Sequence, residues 1–225
     1  MTGPGAGTGP PMAPGLRRFL ERPKPKAAPG ELCEMCTEPI RSGHSHVVNL
    51  EARNLMCTCR PCWLLFTRDG AAQGRYRSVP ERYLHDPGAA ITPVQWDAIS
   101  IPVSMAFFFE NSQMGQFVAF YPSPAGATES MLELTTWAEI LAANPHLAEV
   151  TPDVEALLVR RDGDRFECWL VPIDACYELV GRVKLKWKGF DGGAELWEDL
   201  DVFLDGLRER SVLVGRTDGH VERGG

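Results

Sequence analysis

Two Cys-x-x-Cys pairs, Cys33-Glu-Met-Cys36 and Cys59-Arg-Pro-Cys62, separated by residues 37–58, constrain this chain more than any other feature. A Cys-x-x-Cys turn presents two thiolates to one ion. Two such turns complete a tetrahedral S₄ set, which suits zinc, and one zinc per chain is expected. A single iron fits the same four sulfurs and is the alternative. A segment this short and polar cannot bury enough surface to fold unaided, so metal binding would supply its folding energy.

The residues between the pairs predict a frame for them. Val47–Leu50 and Leu55–Cys57 read as short strands joined by Glu51-Ala-Arg-Asn54. Pro61 stands where a helix begins, with residues 61–66 as that helix. Knuckle, hairpin and helix make a treble-clef-like module; a zinc ribbon, with the second pair on strands, is the alternative. Thr37 and Trp63 follow the two pairs, where a rubredoxin knuckle carries glycine, which favours zinc over iron. Cys57 lies two residues before Cys59, so strand alternation puts both on one side. It is expected either to replace Cys59 as a ligand or to stand behind it as a thiol. His44 and His46 are read as local hydrogen-bonding residues near the metal, or else as ligands. A nuclease-like use of His46 is disfavoured, because Trp63, Leu64, Leu65 and Phe66 offer no third catalytic group.

Outside the cysteine cluster the chain is an ordinary one. Of its 225 residues, 44% are hydrophobic and 24% charged. No apolar run approaches the roughly 20 residues of a membrane-spanning helix. The first fifteen residues lack the pattern of a secretory signal, so a cytoplasmic protein with reduced thiols is expected. Residues 1–88 carry 12 Lys and Arg against 8 Asp and Glu, and residues 89–225 carry 11 against 22. The net charges, +4 and −11, sum to the −7 of the whole chain. The finger core is neutral, with Arg41, Arg53 and Arg60 against Glu34, Glu38 and Glu51. A nucleic-acid partner is therefore disfavoured.

The expected class is α+β: a small metal module, then an α+β domain with two β-hairpins and three helices. Residues 1–30 form a Pro/Gly-rich tail, in which Leu16, Phe19 and Leu20 offer one docking face; 31–68 the finger; 69–100 connecting loops; 101–210 the α+β domain; 211–225 a loose tail. Within the loops, Thr92 and Pro93 start one short helix. Ile101–Glu110 pairs with Gln116–Tyr121, and Val154–Arg161 pairs with Arg165–Pro172 across Asp162-Gly163. Helices are expected over Leu134–Asn144, capped by Thr135 or Thr136, from Asp174 to about Trp187, and over Ala194–Arg210. Trp169, Trp187 and Trp197 read as core, and the acidic residues of the last helix as a solvated face. Cys168 and Cys176 read as buried small apolar groups.

Other chemistry is sparse. PSPAGATES reads as a loop whose Ser123, Thr128 and Glu129 form a candidate polar site, but it is no phosphate loop and no nucleophile elbow. His85-Asp86 is too isolated to read as a dyad. No zincin or dinucleotide fingerprint occurs.

The strings LCEMC, HSHVVNLEARNLMCTCRPCWLLF, GRYRSVP, IPVSMAFFF, YPSPAGATES, DVEALLVRR, LVPIDACYELVG and GGAELWEDL together resemble an uncharacterised actinobacterial family. Its members are often encoded beside nickel–iron uptake hydrogenases, and the resemblance covers about residues 20–210. It implies an accessory or maturation role, with a hydrogenase subunit or maturation factor as protein partner. The reading drawn is a metal-stabilised, non-enzymatic accessory protein. A redox or metal-transfer protein using iron or nickel at the cysteines is the alternative, and a nucleic-acid-binding finger is a further one.

Overall fold

The computed structural model describes residues 32–131, 133–189 and 192–214. The Pro/Gly-rich tail with Leu16, Phe19 and Leu20 lies outside them, as do residues 215–225. The architecture is α+β, built on a three-stranded and a seven-stranded sheet. No helix among the described residues is long and apolar enough to cross a membrane.

The small sheet holds β1 (Ser45–Asn49), β2 (Asn54–Thr58) and, after helix α1 (Arg60–Leu64), β3 (Tyr76–Ser78), in the order β2-β1-β3. The expected hairpin is present, with His46 opposite Cys57 and Val48 opposite Leu55. The third strand falls in the stretch read as loops. Its residues pair with β1 through Val47–Ser78 and Asn49–Tyr76. Three residues are too few to show a period, so that strand is visible only through its partner.

The large sheet runs β10-β4-β9-β8-β5-β6-β7. In chain order its parts are β4 (Leu84–Asp86), helix α2 (Pro93–Ala98), β5 (Met105–Asn111), β6 (Gln116–Ser123), β7 (Gly126–Ser130), α3 (Leu134–Ala143), β8 (Glu155–Asp162), β9 (Arg165–Pro172), α4 (Ile173–Lys186), α5 (Ala194–Arg210) and β10 (Val212–Leu213). All its pairings are antiparallel except β10 with β4. Strand β5 starts later than expected because Pro102 lacks a donor. PSPAGATES is not a loop: Pro122 pairs with Ala127 and Ser123 with Gly126, which makes it a tight hairpin.

Helices cover both faces of this sheet, which explains why its central strands are nearly continuous apolar runs. Phe107, Leu158, Trp169 and Val171 face α4 and α5. Phe108, Leu157, Val159 and Leu170 face α2 and α3, where Trp137 stacks on Phe108 at 4.0 Å. Thr92 caps α2 in a full capping box with Gln95, and Pro93 occupies its first turn. Helix α3 is capped by the Glu133 carboxylate, which accepts from the Thr135 and Thr136 amides, rather than by either threonine side chain. Helix α4 begins one residue before Asp174, whose carboxylate is used elsewhere.

The stripe of α5 is Leu196, Leu200, Phe203, Leu204 and Leu207, each contributing about 1.5–3 kcal/mol by burial. Trp197 stands one position off it and is 46% exposed, so it is not core. The acidic face is ion-paired rather than simply solvated. Asp199 takes Arg182 and Lys186 at 3.1 and 2.7 Å, and Asp201 takes Arg160 at 3.1 Å. Cys168 and Cys176 are fully buried, and burial raises both thiols, so they stay protonated core groups.

The small sheet is part of the same body. Val48 and Val79 belong to the core beneath α4 and α5. Arg82, between β3 and β4, binds the buried Glu155 carboxylate through two hydrogen bonds, at 3.0 and 2.7 Å. Breaking that pair by Arg82→Ala strands a buried carboxylate. It should cost about 2–3 kcal/mol, read as a fall in the denaturation midpoint.

His85 lies in β4, stacked on Trp169 at 4.8 Å and 5° between planes. Burial is the largest influence on it and holds its pKa below the usual histidine value. The unfolded chain binds a proton there near pH 6.5, while the folded chain resists until lower pH. His85 therefore supports the fold fully above about pH 6.5 and loses that support as pH falls through its depressed pKa. His85→Phe keeps the stack, and its stability should fall less between pH 7 and pH 5 than the parent's in paired urea titrations.

Candidate metal centre

The four predicted sulfurs come together. Cys33, Cys36, Cys59 and Cys62 place their Sγ atoms within 4.8 Å of one another, and Cys36 and Cys59 stand 3.6 Å apart. A zinc–sulfur bond of about 2.3 Å gives a tetrahedral edge of roughly 3.8 Å, so the set is near that of a bound ion.

Local chemistry builds each half. Thr37 takes a left-handed φ of 61° and closes the first turn, its amide bonding the Cys33 carbonyl at 2.8 Å. The Cys33 amide reaches the Glu38 carbonyl at 2.8 Å. Cys59 is the N-cap of α1 with Pro61 in the first turn, and Cys62 sits one turn in, buried. Burial alone would raise the Cys33 thiol, but amide hydrogen bonds from Cys59, Cys36 and Met35 outweigh it and bring the pKa to about 6. Burial and the three neighbouring sulfurs push Cys62 strongly the other way. Four thiolates at this separation repel one another until a cation sits among them.

The centre is held against the rest of the chain. Trp63 Nε1 donates to the Val79 carbonyl at 2.8 Å, and the Ser78 hydroxyl donates to the Trp63 carbonyl at 2.5 Å. The Arg60 guanidinium lies 3.8 Å over the Trp63 ring and pairs with Glu81 at 2.6 Å. Residues 76–81 thus serve as the floor of the module.

The other predicted residues divide. Cys57 does not join the four sulfurs; it groups with His44 and His46. The reason is the strand end. Cys59 has left the strand to cap α1, so alternation no longer relates the two cysteines, whereas the register sets Cys57 opposite His46. The Ser123 and Thr128 hydroxyls bond each other at 2.9 Å inside their hairpin, and Glu129 is an exposed strand residue. The structure assembles no shared polar site from these three.

Two partners escaped sequence reading. Asp174 accepts from His46 Nδ1 at 2.7 Å across 128 residues of chain. Asp86 pairs not with its neighbour His85 but with His146, at 2.7 Å. Only the position of Asp174 in the first turn of a helix distinguished it beforehand.

A family model described as a family of unknown function, DUF5947, matches residues 32–211. No curated protein and no solved structure matches the chain.

Cys36→Ser or Cys62→Ser should lose the S₄-bound ion and release residues 32–68, while the seven-stranded sheet stays folded. Hydrogen exchange on the metal-loaded parent and the variants reads both parts separately. Equal protection of residues 32–68 in parent and metal-free variant would show that the ion is not structural.

Proposed function

Since the chain belongs to this family of unknown function, we propose its role from the centre itself: a metal-stabilised, non-enzymatic interaction protein. One zinc ion is held by Cys33, Cys36, Cys59 and Cys62 in a treble-clef-like module. The observation that carries this reading is the closure of the four-sulfur set. Four sulfurs fill a tetrahedral shell and leave that ion no open position, so it supports structure rather than reaction.

The module also displays apolar surface. Leu64 and Leu65, at the end of α1, are 56% and 67% exposed, directly after the last cysteine. Their placement on a metal-fixed helix suits a docking face for another protein. By the resemblance read in the sequence, that partner is a subunit or maturation factor of a nickel–iron hydrogenase, in the cytoplasm, where thiols stay reduced. Opposed charge, +4 over residues 1–88 and −11 over the remainder, would orient the encounter.

Two measurements test this. Protein purified without added metal should be colourless and carry zinc; red or brown protein carrying iron would favour the redox alternative instead. Co-expression with the hydrogenase subunits and maturation factors, followed by size exclusion, should give a stoichiometric complex. Leu64→Asp with Leu65→Asp should weaken that complex at least tenfold while the zinc content holds. Metal-dependent turnover by the isolated protein would overturn the reading.

A further inference from the structure

We propose that His44, His46 and Cys57 form a second metal site, which takes a divalent transition-metal ion of the zinc class in an open, three-ligand shell. The site shares no residue with the four-cysteine centre.

The hairpin puts the three side chains on one face. His46 and Cys57 are cross-strand partners, and His44 precedes His46 by two residues. One donor atom from each lies within 4.8 Å of the other two, and the two imidazole rings are 4.7 Å apart at 60°. An ion bound at about 2.0–2.3 Å would draw such donors to roughly 3.5 Å, a closure within reach of side-chain rotation.

Both histidines are held in the form a metal needs. The Arg41 carbonyl can only accept, so His44 Nδ1, at 3.0 Å, carries the hydrogen of the neutral ring. The lone pair is left on Nε2, which is buried and has no hydrogen-bond partner. An unsatisfied buried nitrogen of this kind calls for an explanation, and an ion supplies one. Asp174 likewise accepts from His46 Nδ1 at 2.7 Å, leaving Nε2 as the free ring nitrogen. A carboxylate behind an imidazole is the usual means of orienting a ligating histidine and raising its basicity.

Cys57 is fixed through its backbone. Its amide donates to the Glu34 carboxylate at 2.5 Å, and its carbonyl accepts from the Glu34 amide at 2.9 Å. Glu34 lies between Cys33 and Cys36, so the first knuckle holds the cysteine of the second site in place. Binding exchanges the Cys57 thiol proton for the ion, and that proton leaves to solvent.

Two imidazoles and a thiolate select zinc, cobalt, nickel or copper over magnesium or calcium. Among the described residues, no fourth His, Cys, Asp or Glu donor joins the group. His44 and His46 also line a cleft of about 390 Å³ shared with Trp63, Tyr83, Asp174 and Arg210. A water or an incoming donor from that cleft completes the shell, which makes this ion the exchangeable one.

The test uses the full chain loaded with Cd²⁺ and observed by ¹¹³Cd NMR, alongside Zn²⁺ titration with a competing chelator. Two resonances are expected, one of S₄ type and one of mixed nitrogen–sulfur type, with two zinc equivalents of which one is removed first. Cys57→Ala and His44→Gln should each delete the mixed resonance and the weaker equivalent, leaving the S₄ signal. Asp174→Asn should weaken the weaker equivalent about 10–100-fold without touching the other. A single S₄ resonance in the parent overturns the proposal whatever the variants do, as does a Cys57→Ala chain that retains both equivalents. Loss of the S₄ resonance alone would count against the four-cysteine reading and not against this one.

Discussion

Four cysteine sulfurs converge within 4.8 Å of one another, and the rest of the module follows from that convergence. Bringing Cys59 and Cys62 to the first knuckle bends the chain out of β2 and into α1. That bend frees Cys57 to face His46, and it lays Trp63 against residues 78–79. The hairpin then has one settled face, whose far end, Val48 and Leu55, enters the core beneath α4 and α5. The cysteine cluster and hydrophobic burial therefore act on opposite ends of the same two strands.

The large sheet is stabilised differently. Its centre is apolar on both sides, and two polar side chains that enter it, Glu155 and Asn144, are matched. Glu155 is 1% exposed and meets Arg82 and the Thr151 amide. Asn144 is 2% exposed and bonds the Ala90 backbone at both its amide and its carbonyl. The Glu155–Arg82 and Asn144–Ala90 pairings reach from the sheet and its helices into the segment between β3 and α2. That segment, though short of regular structure, joins the two sheets by specific contacts rather than by chain alone.

Much of this was legible in the sequence, and what was hidden has a common cause. The long hairpins, the three longer helices and the four metal sulfurs carry local signals: apolar runs, a turn between them, a repeated spacing. Thr92 and Pro93 announced the start of helix α2, and the capping box with Gln95 came only from the structure. Strands β3, β4 and β10, of three, three and two residues, carry no period at all and exist because a neighbour's ladder accepts them. Helix α3 shows a subtler limit. Its threonines looked like caps, yet the preceding glutamate reaches their amides first. Asp174 was expected only to begin helix α4 and became the partner of His46, because the fold brought a histidine to it from 128 residues away.

The separation between His46 and Asp174 also sets a sequence of events during synthesis. The last metal cysteine leaves the ribosome long before the aspartate 128 residues beyond His46. The 112 residues from Cys62 to Asp174 take roughly 6–22 s at about 5–20 residues per second. For that time the cysteine module exists with its histidine face open, before α4 arrives to cover it. On the proposed metal reading, ion capture and domain closure are thus separated by translation. A hairpin covered by a helix made more than a hundred residues later would, on that reading, have a loading period from nothing more than the order of the residues.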